Sequence, residues 1–265
     1  MTISIAIPDS SLEDEHRHVD KTRKISLIGR TCAIFGIDTI YIYKDTGTRD
    51  DQTLLSTILR YMETPQFLRR FAFPKINDLK YAGVLSPLQT PHHTVTSNVK
   101  KIKKNDIRDG LVLNTKNEKF VDVGFGTKIP YRGKQPTGKR ILVQFTSEYP
   151  TLAIREVDPS QHSEFRGYAV KERNNLYSLL TEWTGKIILT SRKGKFSTPS
   201  ILHSYHDSNL LLVFGSTSRG IHDMLGSRLD NIQNSRMLNF FPNQQTKTVR
   251  LEEALLGILS IINAA

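Results

Sequence analysis

Two apolar strands, Leu210–Phe214 and Met237–Phe241, each run into a loop of small and polar residues, and each loop leads into a helix-like segment. The first of these loops reads Gly215-Ser216-Thr217-Ser218-Arg219-Gly220. The other runs Asn239-Phe240-Phe241-Pro242-Asn243-Gln244-Gln245-Thr246-Lys247-Thr248-Val249-Arg250. A further loop, Thr190-Ser191-Arg192-Lys193-Gly194, follows a strand over Lys186–Thr190. Strand, small-residue loop and helix is how an α/β sheet builds a ligand site at the carboxyl ends of its strands. A glycine directly after a strand lets a ligand approach the backbone. Amides at the start of the next helix can receive polar or anionic groups. Neither GxGxxG nor GxxxxGK[ST] spacing is present, so a dinucleotide fingerprint and a P-loop are both excluded. The plain alternatives are a tight turn at Gly215 and an exposed basic turn at Arg192. The long polar loop after Asn239 is costly to order unless it has a task.

These loops need a sheet to carry them, and the chain supplies one. Ile3–Ile7 reads as a strand stopping at Pro8. Ser10 or Ser11 caps a helix that keeps apolar spacing through Ile25, Ile28, Cys32 and Phe35 and stops at Gly36. Thr39–Tyr43 is a β-branched and aromatic strand. Asp51 opens a second helix, ended by Pro65. This is the grammar of a parallel sheet with helices on its faces. After residue 165 the grammar resumes, with strands at Tyr168–Val170, Lys186–Thr190, Leu210–Phe214 and Met237–Phe241. Helices are expected near 174–183, 219–225 and 250–263.

Between these parts the pattern changes. Val95, Val99, Leu111–Leu113, Phe120–Val123 and Ile141–Phe145 are short strand candidates punctuated by glycines. The net charge of +11 is concentrated there. Residues 91–147 hold 12 basic and 4 acidic side chains, against 12 and 11 in residues 1–90 and 13 and 11 in residues 148–265. A basic β-module with an anionic partner, most simply RNA, is the reading. A small OB-like barrel is the natural candidate. Lys100, Lys101, Lys103, Lys104, Arg108, Lys128, Arg132, Lys134, Lys139 and Arg140 are its candidate RNA contacts. Phe125 and Tyr131 are either base-stacking platforms or barrel core. If about six of the cations meet single-stranded phosphates, log affinity falls with log salt at a slope of about −4.

The single cysteine, Cys32, excludes a disulfide framework and a cysteine zinc site, and its apolar neighbours make it a buried thiol. His92 and His93 read as a boundary hinge rather than a metal site, so no metal is expected. No signal peptide or membrane span is expected, so the reading is a soluble, cytoplasmic protein.

The chain resembles the SPOUT superfamily of RNA methyltransferases. The carriers are SIAIP, KTRKISLIGR, AIFGIDTIYIY, YMETPQFLRR, YAGVLSPLQTPHH, LLVFGSTSRG and LNFFPNQQTKTVRLEEALLGILSIIN, which cover both ends of the chain. The likeness is to the archaeal and eukaryotic branch related to the human centromere-associated SPOUT protein. It implies an α/β fold whose parallel sheet ends in a C-terminal trefoil knot. The SPOUT domain would comprise residues 1–90 and 166–265, interrupted by the OB-like insertion at 91–165. It implies a homodimer and S-adenosylmethionine held by the knot, mostly through backbone groups. The positions carried over are Thr190 and Ser191; Phe214, Gly215, Ser216 and Gly220; and Leu238, Asn239, Phe240, Thr246, Thr248 and Val249. The chain departs from the family around Gln245, where members often carry glycine.

The branch is associated with methylating N3 of a uridine in large-subunit ribosomal RNA. That nitrogen is a poor nucleophile until its proton leaves, and charge then grows on the flanking carbonyl oxygens. A cation aimed at those oxygens stabilises it. Arg219, Arg250 and Arg30 are the candidates, each with a phosphate contact or surface ion pair as its plain alternative. Glu253 is either a general base or a partner of the helix dipole. The competing functions are a noncatalytic RNA-binding scaffold on the same fold and a 2′-O-ribose methyltransferase.

Overall fold

The computed structural model describes residues 2–93, 96–115, 118–159, 164–216 and 218–265. Val95 and Thr217, both singled out above, lie outside the described residues. The chain opens with β1 (Thr2–Pro8), α1 (His18–Ile34), β2 (Thr39–Tyr43), α2 (Arg49–Glu63) and α3 (Gln66–Ala72). It continues with β3 (Ile107–Thr115), β4 (Glu118–Asp122), β5 (Ile129–Pro130), β6 (Arg140–Ser147) and β7 (Ala153–Val157). Next come β8 (Ala169–Arg173), α4 (Leu176–Glu182), β9 (Lys186–Phe196) and α5 (Pro199–His203). It closes with β10 (Asn209–Val213), α6 (Ile221–Leu225), β11 (Ser235–Asn239) and α7 (Leu251–Ala264). No helix among the described residues is long and apolar enough to cross a membrane.

The chain divides into two compact units. One holds the residues up to Glu63, Asn77–Leu88 and everything from Gly167 on. Its six strands form one parallel sheet in the order β11-β9-β10-β1-β2-β8. The central strands are buried on both faces, which is why their sequences are continuous apolar runs rather than alternating ones. After β10 the chain crosses back to the far side of β9 to lay down β11.

That last pairing contains an irregularity that builds the site. Met237 pairs with Leu189, but its neighbour Leu238 pairs with Lys195. Thr190–Gly194 therefore leaves the sheet and returns opposite one peptide bond of β11. Gly194 sits at the return, where a Cβ would lie 2.7 Å from the backbone nitrogen of Leu238. Only a residue without a side chain fits there undisturbed.

Three local expectations are corrected. Ser10 and Ser11 do not cap α1. They sit in a 3₁₀ turn, Asp9–Leu12, and the helix waits until His18. The cause is the buried Asp9 carboxylate, which accepts the amides of Asp45 at 2.8 Å and Gly47 at 3.0 Å. Helix α2 starts at Arg49, before Asp51, because the Thr48 hydroxyl caps it by accepting the Asp51 amide at 3.1 Å. Pro65 ends α2 but also starts α3 at the next residue, since its fixed φ suits a helix entrance. Gly36 does end α1, at φ 63°.

The second unit comprises Thr64–Ile76 and Gln89–Arg166. Its five strands form an antiparallel sheet in the order β5-β4-β3-β6-β7, with the two edge strands in contact, close to a barrel. The core is Val112, Val121, Val123, Ile141, Val143 and Phe145, joined by Tyr131. Val99 lies in a 3₁₀ turn rather than a strand.

Candidate functional site

A cavity of about 310 Å³ opens at the carboxyl ends of β9, β10 and β11 in the first unit. That lies at the lower end of the roughly 300–1,000 Å³ of small-molecule sites. Three loops make its walls: loop 1 (Thr190–Gly194), loop 2 (Gly215–Gly220) and loop 3 (Asn239–Arg250). Thr190 and Ser191 line it from loop 1. Phe214, Gly215, Ser216 and Gly220 line it from loop 2 and its edge. Leu238, Asn239, Phe240, Thr248 and Val249 line it from β11 and loop 3. The structure thus brings together eleven of the twelve positions carried over for a cofactor. Thr246 is the exception. Its carbonyl accepts the Gln244 side-chain amide at 2.7 Å, and the loop turns it outward beside Gln245.

Several of these lining side chains also hold the loops together. The Thr190 hydroxyl donates to the Val213 carbonyl at 2.8 Å, tying loop 1 to β10. The buried Asn239 donates its amide to the Arg192 carbonyl at 3.0 Å and accepts the Phe241 amide at 2.9 Å, tying loop 1 to loop 3. Arg192 donates its guanidinium to the Lys247 carbonyl at 3.0 Å. The Phe241 ring stands where a Cβ on Gly257 of α7 would come within 2.8 Å of it. Loop 2 closes on itself, with the Ser216 amide donating to the Arg219 carbonyl at 3.0 Å. The Gly220 amide donates to the Asp223 carboxylate at 3.3 Å, so the start of α6 is capped by its own chain.

Beneath loop 2 lies a polar support. The buried Tyr43 hydroxyl donates to the Phe214 carbonyl at 2.6 Å. Burial, with the carboxylates of Asp45 and Asp9 nearby, pushes that hydroxyl well above the usual tyrosine range, so it remains a donor. The Asp45 carboxylate, 2 % exposed, accepts from the Ser10 hydroxyl at 3.0 Å and from the Arg219 guanidinium.

None of the three candidate arginines lines the cavity. Arg219 is half-exposed at the edge of loop 2 and anchored on Asp45. Arg250 pairs with Glu15 at 3.1 Å. Arg30 donates to the carbonyls of Pro87 and Leu88 at 2.8 and 2.6 Å, which fixes it to backbone away from the three loops. Glu253 accepts the Arg250 amide at 2.9 Å, the arrangement of a helix cap. Sequence reasoning did not single out Ser11, His222, Lys193 or Lys247 as lining residues. Ser11 follows β1, which lies beside β10, so the strand-end rule reaches it once the strand order is known.

In the second unit, Lys100, Lys101, Lys103, Lys104, Lys128, Arg132, Lys134 and Lys139 are exposed. Arg108 is not: it is buried, donates to the Thr96 carbonyl at 2.8 Å and stacks over Phe125. Burial lowers its pKa. Arg140 is committed to Asp109 at 2.9 Å. Tyr131 is core, with its hydroxyl donating to Glu156 at 2.7 Å, and Phe125 packs on Phe145. The Tyr131 ring is thus enclosed, while Phe125 is half-buried between Arg108 and Phe145. Among the described residues no group of three His, Cys, Asp or Glu side chains is placed to hold a metal ion.

Residues 2–262 match the family described as "Putative RNA methyltransferase". An uncharacterized protein of Halobacterium salinarum is 30 % identical over 98 % of this chain and 98 % of its own. The human 28S rRNA (uridine-N(3))-methyltransferase is 27 % identical over 98 % of this chain and 77 % of its own. The mouse protein of the same name is 26 % identical over 98 % and 76 %.

Proposed function

The chain belongs to this RNA methyltransferase family, and from that premise we propose that it methylates N3 of a uridine in large-subunit ribosomal RNA, using S-adenosylmethionine. The observation that carries the reading is the single cavity formed by three strand-end loops, lined by the positions carried over from the SPOUT likeness. In this reading the knot, the OB-like character of the second unit and the homodimer follow from the likeness.

The residues present fit the cofactor. Leu238, Phe240, Leu251 and Ile258 give the cavity an apolar floor suited to a purine ring. Gly215 leaves the wall open where a Cβ would come within 3.1 Å of the Arg219 carbonyl. When bound, the cofactor supplies an electrophilic methyl group on a sulfonium. Arg219 is the residue proposed to meet the charge that grows on the uracil oxygens as the N3 proton leaves. A guanidinium has five N–H donors, so Asp45 can fix its orientation and leave others to reach the base. The eight exposed candidate cations of the second unit are proposed to hold the RNA strand.

Calorimetric titration with S-adenosylhomocysteine tests the reading, alongside a Gly215→Trp variant that fills the wall. Micromolar binding by the wild type, lost in the variant, is expected. No binding by folded wild type would refute it.

A further inference from the structure

Most cations around the cavity are already answered by the protein. Arg219 meets Asp45, Arg250 meets Glu15, and Arg192 spends its guanidinium on the Lys247 carbonyl. Two ammonium groups differ. Lys193, in the excursion of loop 1, and Lys247, in loop 3, both line the cavity and both are exposed. Among the described residues neither Nζ meets a carboxylate or carbonyl oxygen.

The backbones that carry these lysines are fixed even though their stems are free. The Lys193 amide donates to the Ser191 hydroxyl at 3.2 Å. The Arg192 and Asn239 bonds tie loop 1 to loop 3, so the two lysines belong to one braced lip. The Asp223 carboxylate that also lines the cavity is engaged by the Gly220 amide. That amide leaves the carboxylate charged, yet three cations, Arg192, Lys193 and Lys247, line the cavity against this one carboxylate, and the net positive charge attracts an anion. A lysine ammonium on a flexible stem is a point-charge phosphate binder.

We propose that Lys193 and Lys247 receive a phosphate of single-stranded RNA at the mouth of the cavity, next to the nucleotide that enters it. The proposal rests on the methyltransferase reading and adds an RNA contact in the first unit, separate from the basic second unit. The carboxylate end of the cofactor is the competing anion, and the exposure of both ammonium groups favours the strand.

The test is a Lys193→Gln/Lys247→Gln double variant, with Lys193→Arg/Lys247→Arg as the charge-preserving control. Binding of an oligouridylate of about ten nucleotides is measured against salt, and S-adenosylhomocysteine binding is measured separately. Each lost contact to single-stranded phosphate lowers the slope of log affinity on log salt by about 0.7, so the glutamine pair lowers it by about 1.4. The arginine pair keeps the wild-type slope, and S-adenosylhomocysteine affinity stays within about twofold in both. An unchanged slope in the glutamine variant overturns the proposal. An unchanged slope with a tenfold loss of S-adenosylhomocysteine affinity overturns it in favour of the cofactor carboxylate. Wild type that binds no S-adenosylhomocysteine refutes the methyltransferase reading itself, and that result is read without the variants.

Discussion

Lys24→Met is the most informative single perturbation of the cavity's frame. The Lys24 ammonium is only 2 % exposed and lies 2.5 and 2.7 Å from the two oxygens of Asp14. It also lies 3.3 Å from Glu252 in the first turn of α7. It thereby joins α1, the segment after β1 and the helix whose residues floor the cavity. Removing one partner of a buried ion pair typically costs about 3–5 kcal/mol, because the remaining charges stay desolvated and unanswered. Asp14 keeps 21 % of its side chain exposed and Glu252 11 %. Partial hydration moderates the penalty, so we expect the lower end, about 3 kcal/mol. With a urea slope of about 3 kcal/mol/M, the midpoint falls by about 1 M. The single tryptophan, Trp183, lies in the first unit and reports its unfolding. The triple variant Lys24→Met/Asp14→Leu/Glu252→Leu recovers most of the loss, since replacing a whole buried ionic set by apolar groups of similar volume is close to neutral. A loss under about 1 kcal/mol in the single variant refutes the reasoning. A triple variant no more stable than the single one assigns the loss to packing of the lysine stem instead.

Three further outcomes are expected. Gly194→Ala forces the loop 1 return against the Leu238 backbone, costing about 1–3 kcal/mol and weakening S-adenosylhomocysteine binding; Gly83→Ala, with nothing within 4 Å of the new methyl, is the neutral control in the same calorimetry. Burial raises the Asp109 pKa, but Arg140 and then Arg166 outweigh it and hold the value below the ordinary 3.8. Its stabilising effect is therefore complete above that pH and lost as pH falls through the lowered value, so Asp109→Asn flattens the acid limb of the second unit's urea stability, followed by methyl NMR of Val112 and Val143. The Cys32 thiol, fully buried and with its pKa raised by that burial, resists a thiol reagent in the native protein and reacts at the rate of unfolding, which stopped-flow absorbance measures.

The strands of the parallel sheet and the cavity loops were legible because both leave a local mark: apolar runs too continuous for a one-sided sheet, each ending in small polar residues. What stayed hidden depends on partners far away in sequence. Asp45 takes its meaning from Arg219, 174 residues on, and no local pattern links them. Arg108 has the same charge as Lys104, yet one is barrel interior and the other surface. The charge count across residues 91–147 cannot separate them, because a buried arginine bonded to a carbonyl and a solvated lysine read alike. Tyr131 shows the same limit, since its hydroxyl partner Glu156 lies on a strand that carried no expectation.

The polar side chains best suited by type to hold a ligand are those the loops have already used. Thr190 is spent on Val213 and Asn239 on Arg192 and Phe241, and the backbone amide of Gly220 is likewise taken by Asp223. Loops 1 and 3 are fastened to each other, and loop 1 is also pinned to β10, the strand that leads into loop 2, so neither can reorganise alone. A hydroxyl or amide removed here therefore acts first on the shape of the cavity, through a broken bond of about 0.5–1.5 kcal/mol. What this arrangement leaves for a ligand is backbone, an apolar floor, the Thr248 hydroxyl, the His222 ring and the two lysines of the lip. An Asn239→Ala variant that loses affinity thus carries no information about a direct contact, unless its loop 1 signals are first seen to be unchanged.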